Sequence, residues 1–236
     1  MQVRGKEFSV TMPKYSLIRA VICLLFMTPL VMAGNLSWKF TPDGWKPEEW
    51  IMVKSPRWSY SGTWIQKTDH IENAVPAGAK PEEWQGKRAP ETYTSMVYQK
   101  PFVGDMRVTA TTWFTPRMAP IIVFAAGLGK DNEGRVEYRE HFEVCIYDEG
   151  VNVWHHIYTN GKPSWKKAAY AKFPLKPETR YLLDVEVKGK QMIIRIDGHE
   201  TGCLLESLPT PCYVGITGCE GINHFYDMSI TGTPGG

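Results

Sequence analysis

The stretch HFEVCIYDEGVNVWHHIY, residues 141–158, decides the fold class. Apolar and polar residues alternate on both sides of Asp148-Glu149-Gly150, a turn sequence in which glycine supplies the positive φ. A period of two predicts β-strands over 141–147 and 151–158, joined as a hairpin. The apolar side chains expected on one face are Phe142, Val144, Ile146, Val151 and Val153.

The same alternation extends in both directions along the chain, and helical periodicity is nearly absent after residue 34. Further strands are predicted at 64–71, 94–98, 107–114, 120–126, 181–187, 191–197, 212–217 and 225–230. Residues 73–92, which are rich in proline, alanine and charge, predict a long surface loop. About ten or more short strands predict an all-β fold, a two-sheet antiparallel β-sandwich of the jelly-roll type.

Length and composition agree with one folded domain. The chain has 236 residues, of which 43% are hydrophobic and 12% aromatic, which excludes a disordered protein. Lys and Arg number 27 against 25 Asp and Glu, so the net charge of +2 gives no reason to expect nucleic acid as a partner.

The amino terminus predicts export. Residues 20–33 (AVICLLFMTPLVMA) form a short apolar run after Lys14 and Arg19, the pattern of a secretory signal peptide cleaved after Ala33. The run is short for a transmembrane span, so an uncleaved anchor is the weaker alternative. We expect a signal peptide at 1–33, starting at Met1 or Met12, and one domain at 34–236 in the periplasm or outside the cell, with no membrane contact after cleavage.

Four cysteines remain after residue 33, and disulfides are allowed in an oxidising compartment. Cys145 lies within an apolar strand and is expected to be a buried thiol. A bridge among Cys203, Cys212 and Cys219 stays open, because sequence spacing does not select a pairing.

Several segments together resemble the concanavalin A-like lectin/glucanase superfamily, in particular the laminin-G-like jelly rolls of secreted bacterial proteins. The most informative segment is YLLDVEVKGKQMIIRIDG (181–198), and WSYSGTWIQKTDHI (58–71), FVGDMRV (102–108) and VGITGCEGINHFYDMSI (214–230) follow the family pattern in order. The resemblance implies a sugar site on the outer side of the concave sheet. It does not select a function, because this fold hosts lectins, glycosidases, lyases and adhesion modules.

The hairpin at 141–158 offers what a sugar requires, namely aromatic rings for its C–H faces and planar polar groups for its hydroxyls. The predicted outward-facing patch contains His141, Glu143, Tyr147, Asn152, Trp154 and His156. Arg107 and Trp113 share one face of another strand and are expected to border the patch. The alternative is an ordinary solvated sheet face with cross-strand pairs. His155 is expected on the core side, and His224 in a turn with a structural role.

Three functions stay open at this point. The first is a carbohydrate-binding domain. The second is a glycoside hydrolase or polysaccharide lyase, including a 3-keto-disaccharide hydrolase-like enzyme, with Glu143 and His156 as acid and base. The Glu-x-Asp-x-x-Glu strand of the retaining glycosidases is missing from this sequence, which argues against double displacement. The third is a surface interaction module without sugar affinity.

Cofactors and further partners are not indicated. Asp131-Asn132-Glu133 offers hard oxygen ligands for a weak Ca²⁺ site, although a plain acidic turn fits the same residues better. No other metal and no cofactor is expected. Carbohydrate is the expected partner, and the oligomeric state does not follow from the sequence.

Overall fold

The computed structural model describes residues 34–58, 62–74, 93–116, 119–205, 210–219 and 221–235. The predicted signal peptide and most of the predicted loop at 73–92 lie outside these residues. Within the described ranges, no helix has the length and apolar character needed to cross a membrane.

The described chain consists of short and medium β-strands and one 3₁₀ helix, Pro47–Glu49. The strands, in chain order, are β1 Gly34–Lys39, β2 Trp50–Met52, β3 Trp64–Gln66, β4 Ile71–Asn73, β5 Thr94–Tyr98, β6 Phe102–Phe114, β7 Ala119–Lys130, β8 Val136–Tyr147, β9 Gly150–Thr159, β10 Lys162–Lys172, β11 Tyr181–Lys188, β12 Gln191–Ile196, β13 His199–Leu204, β14 Tyr213–Cys219 and β15 Asn223–Pro234.

These strands form two sheets. The first sheet has the order β13, β12, β11, β6, β15, β4, β3, and β1 also pairs with β15. The second sheet has the order β10, β9, β8, β7, β14, β5, β2. The pairings within both sheets are antiparallel, which confirms the predicted two-sheet antiparallel sandwich. The consecutive strands β6 and β7 belong to different sheets.

The main core lies between the sheets and takes alternate residues from both. Phe124 and Phe142 of the second sheet join Val108 and Phe225 of the first sheet, and each is at most 1% exposed. The five side chains predicted to face inward from the hairpin belong to this core, and they are Phe142, Val144, Ile146, Val151 and Val153. Burying one such aromatic side chain stabilises the fold by about 1.5–3 kcal/mol.

A second apolar cluster covers part of the outer face of the second sheet. Ile121, Val123 and Tyr138 point to this side, and Val53 and Tyr93 pack onto them from outside the strands. The segment that follows Val53 is held there by a parallel bridge between Lys54 and Glu137. One part of this sheet face is therefore covered, and the part above β8 and β9 stays open as a cleft.

The β8–β9 turn fixes the register of the hairpin. Gly150 has a φ of +131°, and a Cβ at this position would lie 2.1 Å from the carbonyl oxygen of Ala171. Only glycine fits such a backbone. The turn predicted at 148–150 is therefore confirmed, with the two strands in the expected pairing.

The cysteines show whether a disulfide bridge forms among Cys203, Cys212 and Cys219, which the sequence leaves open. Cys145 is buried in β8, as predicted. Cys203 and Cys212 carry free thiols, so neither bridges Cys219. Burial raises the pKa of the Cys212 thiol to about 12, so this side chain stays a neutral apolar group of the core.

Candidate functional site

A cleft of about 420 Å³ opens on the outer face of the second sheet. Its wall contains five residues of the predicted patch, which are Glu143, Tyr147, Asn152, Trp154 and His156. The hairpin register brings them together, because Glu143 lies opposite Trp154 and Asn152 lies opposite Cys145. Residues that face each other across an antiparallel pair share one side of the sheet.

His141 lies on the same side of the sheet but beneath the cleft, and it is not part of the cleft wall. It is 1% exposed, and its ring stacks on Tyr138 at 4.2 Å and on His156 at 4.6 Å between ring centroids. The prediction that His141 faces outward is correct for the strand face. The Tyr138 and His156 rings and the segment at 53–58 leave this side chain without solvent access.

Glu143 connects the buried layer to the cleft. Its Oε1 accepts a hydrogen bond from the Tyr93 hydroxyl at 2.8 Å and another from His141 Nε2 at 3.1 Å. Its Oε2 lies 3.0 Å from His156 Nε2. Glu143 is 5% exposed, so a buried carboxylate is surrounded by three polar side chains.

The protonation states follow from this arrangement. Burial by itself raises the pKa of Glu143, but the adjacent His156 and the hydrogen bond from His141 hold that pKa well below its usual range. Burial lowers the pKa of His141 to about 4, against the opposing effect of Glu143. Burial and the neighbouring Glu143 raise the pKa of Tyr93 well above 10, so its hydroxyl stays a donor. At neutral pH the site holds an ionised carboxylate next to a neutral His141.

Two polar atoms of the cleft wall lack hydrogen-bond partners within the described protein. They are Asn152 Oδ1 and His156 Nε2, both shielded from solvent. His156 Nε2 has the Glu143 carboxylate at ion-pair distance, whereas Asn152 Oδ1 has no polar group of the described protein as a partner. A buried polar atom without a partner costs about 1–3 kcal/mol, so Asn152 and its surroundings carry a cost that the fold alone does not explain.

Several residues of the site lie outside the predicted patch. Arg57 and Trp58 form one side of the cleft, and Tyr93 holds Glu143 from behind. The Arg57 guanidinium lies 4.7 Å from the centre of the Trp58 ring and 4.0 Å from that of Trp165. No local pattern predicts these contacts, because they depend on the path of a loop segment across a sheet that forms much later in the chain.

The prediction that Arg107 and Trp113 border the patch is wrong. Both lie on β6, which belongs to the first sheet, and their side chains are on its outer face. Arg107 donates two hydrogen bonds to Asp184, at 2.8 and 2.7 Å. Trp113 stacks on His224 with ring centroids 4.2 Å apart.

The two histidines outside the patch have structural contacts. His224 lies within β15 rather than in a turn, and its ring is stacked between Trp113 and His70. This corrects the predicted position of His224 and agrees with the structural role. His155 is buried and stacks on Phe142 at 4.2 Å, as expected for the core side.

Asp131, proposed from sequence for Ca²⁺, is engaged within its own turn. Its carboxylate accepts backbone N–H groups of Glu133 and Arg135, both at 2.9 Å, and pairs with the Arg135 side chain and with Lys54. These contacts already neutralise the carboxylate.

Two groups in the described chain bring three metal-ligating atoms within 4.8 Å of one another, His70-Glu72-His224 and His141-Glu143-His156. In the second group the imidazole rings are stacked and only 10° from parallel. Nitrogen lone pairs lie in the ring plane, so parallel rings do not direct them to a common point. This geometry favours a hydrogen-bonded network over a metal cage.

Comparisons with known proteins support the fold. The endo-β-galactosidase from Clostridium perfringens that releases GlcNAcα1-4Gal has a TM-score of 0.56 and 9% identity, covering 86% of this chain and 63% of that one. The CBM2 module of the evolved Dit of Lactobacillus casei BL23 phage J-1 has a TM-score of 0.52 and 10% identity, covering 86% and 98%. The exoplasmic/lumenal domain of VIP36 in its Ca²⁺/Man3GlcNAc-bound form has a TM-score of 0.51 and 13% identity, covering 83% and 88%.

No protein-family model matches the sequence, and no curated protein matches it. At the identities of the solved structures the similarity establishes the fold alone. It confirms the jelly-roll sandwich that the concanavalin A-like resemblance implied.

Proposed function

We propose that the cleft on the second sheet is a carbohydrate-binding site. The observation that carries the proposal is the position of Trp154 in the cleft wall on β9, between Asn152, whose Oδ1 has no partner, and His156, which faces the Glu143 carboxylate. A sugar ring presents C–H groups that stack on an aromatic ring and hydroxyls that pair with such atoms. The solved structures that share the fold add support. VIP36 is bound to Man3GlcNAc, the phage protein contains a CBM2 module, and the endo-β-galactosidase releases GlcNAcα1-4Gal.

A glycan panel with matched variants tests the proposal. Trp154→Ala removes the stacking ring and is expected to weaken glycan binding at least tenfold, while the fold persists because this side chain is only partly buried. Trp113→Ala removes a tryptophan of the other sheet and serves as the control. Equal affinities of Trp154→Ala and the wild type would contradict the proposal. If no glycan in the panel binds, the non-sugar interaction module is the better reading.

A second candidate is an enzyme that cleaves a glycosidic bond at the same place. It is favoured by the ionised, buried Glu143 beside His156 in the cleft wall, a carboxylate–imidazole pair of the kind that takes and returns a proton. The experiment is product formation from a polysaccharide panel by the wild type and by Glu143→Gln. Turnover that disappears in the variant while glycan binding persists supports the enzyme. The absence of any product supports the binding domain.

We also propose that the protein is exported, with cleavage after Ala33. The proposal rests on the apolar run at 20–33. Amino-terminal sequencing of the protein recovered from the periplasm or medium should begin at Gly34. Recovery of the intact amino terminus from the membrane fraction would favour the uncleaved anchor.

A further inference from the structure

The strand at the edge of the cleft sheet is strongly basic. Residues 150–177, which include β9 and β10, contain five lysines and no aspartate or glutamate. The whole chain is close to neutral, so this block concentrates positive charge in one part of the fold. β10 is the first strand in the order of the second sheet and pairs with β9.

The outer face of β10 continues the wall of the cleft. Trp165 lies opposite His156, Lys167 opposite Trp154, and Tyr170 opposite Asn152. Trp165 is 46% exposed and Tyr170 64% exposed, which is unusual for such large rings. The basic strip, defined as Trp165, Lys167 and Tyr170 with Arg57, thus extends the cleft to the sheet edge.

Cations and rings alternate along the basic strip. Lys167 Nζ lies 5.0 Å from the ring centre of Trp154 and 5.5 Å from that of Tyr170. Arg57 lies over Trp165 at 4.0 Å. These are cation–π distances, so the charged groups are held at the level of the rings.

The charge of Lys167 is not neutralised by any carboxylate in the part of the chain that the structure describes. Cations on the outer face of the first sheet behave differently: Arg107 pairs with Asp184 at 2.7 Å and Arg195 with Glu200 at 2.7 Å. Lys167 therefore presents positive charge that a ligand can meet.

We propose that the cleft and the basic strip together bind an acidic polysaccharide, whose sugar units carry carboxylate or sulfate groups. This inference rests on the proposed carbohydrate site and names its substrate class. The rings would take the C–H faces of successive sugars, and Lys167, which lies between Trp154 and Tyr170, would pair with the anionic substituents. Asp148 and Glu149 line the cleft beside the end of β10, where their carbonyls accept hydrogen bonds from Leu175 and Phe173, so they would direct the charged units toward the Lys167 and Trp165 part of the strip.

Calorimetry on the whole mature chain tests this with two pairs of probes. The first pair is an oligogalacturonate and its methyl ester, and the second is a carrageenan oligosaccharide and a neutral agarose oligosaccharide. In at least one pair we expect the charged member to bind about tenfold tighter than the neutral member, or more. This ratio of affinities should fall when NaCl is raised from about 20 to about 200 mM, because salt screens exposed charges. The pair that shows the preference distinguishes carboxylate from sulfate.

Variants locate the effect. Lys167→Ala is expected to weaken binding of the charged probe by about three- to fivefold and to leave the neutral probe unchanged, as for an exposed ion pair. Lys100→Ala removes an exposed lysine at the β5–β6 turn and should change neither. An equal loss in both variants would overturn the inference, because the effect would then be one of net charge. A single-stranded oligonucleotide that binds as tightly as the charged glycan would also overturn it.

The two proposals fail in different ways. If both members of each pair bind equally and Trp154→Ala weakens both, the carbohydrate site stands and the acidic substrate is wrong. If no probe binds at all, the carbohydrate site and the substrate class fail together.

Discussion

His141 makes the folded state sensitive to acid between pH 6.5 and pH 4. Burial between Tyr138 and His156 lowers its pKa from 6.5 to about 4, and Glu143 offsets this only in part. In the unfolded chain the exposed imidazole takes up a proton near pH 6.5. Between these two values the unfolded state binds more protons than the folded state, so stability falls as the pH falls.

The size of the effect follows from the two pKa values. One pKa unit corresponds to about 1.4 kcal/mol, so a pKa near 4 in place of 6.5 corresponds to about 3 kcal/mol of lost stability. Burial beside His70 also lowers the pKa of His224 to about 4, so this residue acts in the same direction. The free energy of unfolding of a typical domain is roughly 5–15 kcal/mol, so a loss of about 3 kcal/mol is a large part of it.

The assay is urea unfolding at several pH values between 7.5 and 4 for the wild type and for His141→Gln. Glutamine keeps an N–H donor for Glu143 but does not titrate. We expect the variant to be less stable at pH 7.5, and the difference between the two curves to narrow by about 3 kcal/mol as the pH approaches 4. His199→Gln, which removes an exposed histidine of the first sheet, is the control. Parallel curves for the wild type and His141→Gln would refute the reasoning.

Three other substitutions test the packing around the site. Gly215→Ala places a Cβ 1.9 Å from the Met96 carbonyl oxygen on the neighbouring strand, so we expect a loss of about 3 kcal/mol or more in urea unfolding, and wild-type stability would contradict the strand pairing. Tyr93→Phe removes the donor 2.8 Å from buried Glu143 and should cost about 1.5–3 kcal/mol, with an unchanged melting temperature as the contrary result. Phe124→Ala empties a fully buried core position and should cost about 3–5 kcal/mol in the same measurement, whereas a loss below about 1 kcal/mol would contradict its place in the core.

The hairpin shows how much the sequence predicts. Period-two alternation assigns Glu143, Trp154 and His156 to one face, and the turn glycine fixes which residues lie opposite each other. Both are local properties, and both are confirmed. The five cleft residues of the predicted patch follow from these two rules alone.

Sheet membership is not local, and this explains the wrong placement of Arg107 and Trp113. Their strand β6 pairs with β11 and β15, although β7 follows it directly in the chain. Alternation gives the face of a strand and not its neighbours. For the same reason the sequence pattern does not predict that Arg57 and Tyr93 belong to the site, since both reach it from loops.

The sequence pattern does not predict strand β10, and the physical reason is a different one. Its sequence KPSWKKAAYAK shows little contrast between its faces, because eight of its eleven positions are exposed or carry lysine or tyrosine at the surface. Alternation arises when one face of a strand is buried. β10 buries little on its core side, where the small Ala169 packs against the main core, so its alternation is weak. The sequence therefore shows the charge of this strand but not its position.

The edge position of β10 has a further consequence for self-association. Among the described strands none pairs with its outer edge, and an exposed edge that carries a tryptophan and a tyrosine invites a strand from a second copy. Lysine side chains and the register shift between Lys167 and Ala169 oppose such pairing by repulsion and by irregular backbone geometry. Replacing several lysines of this strand should therefore produce concentration-dependent aggregation, because the charge that we assign to a glycan also opposes edge-to-edge pairing.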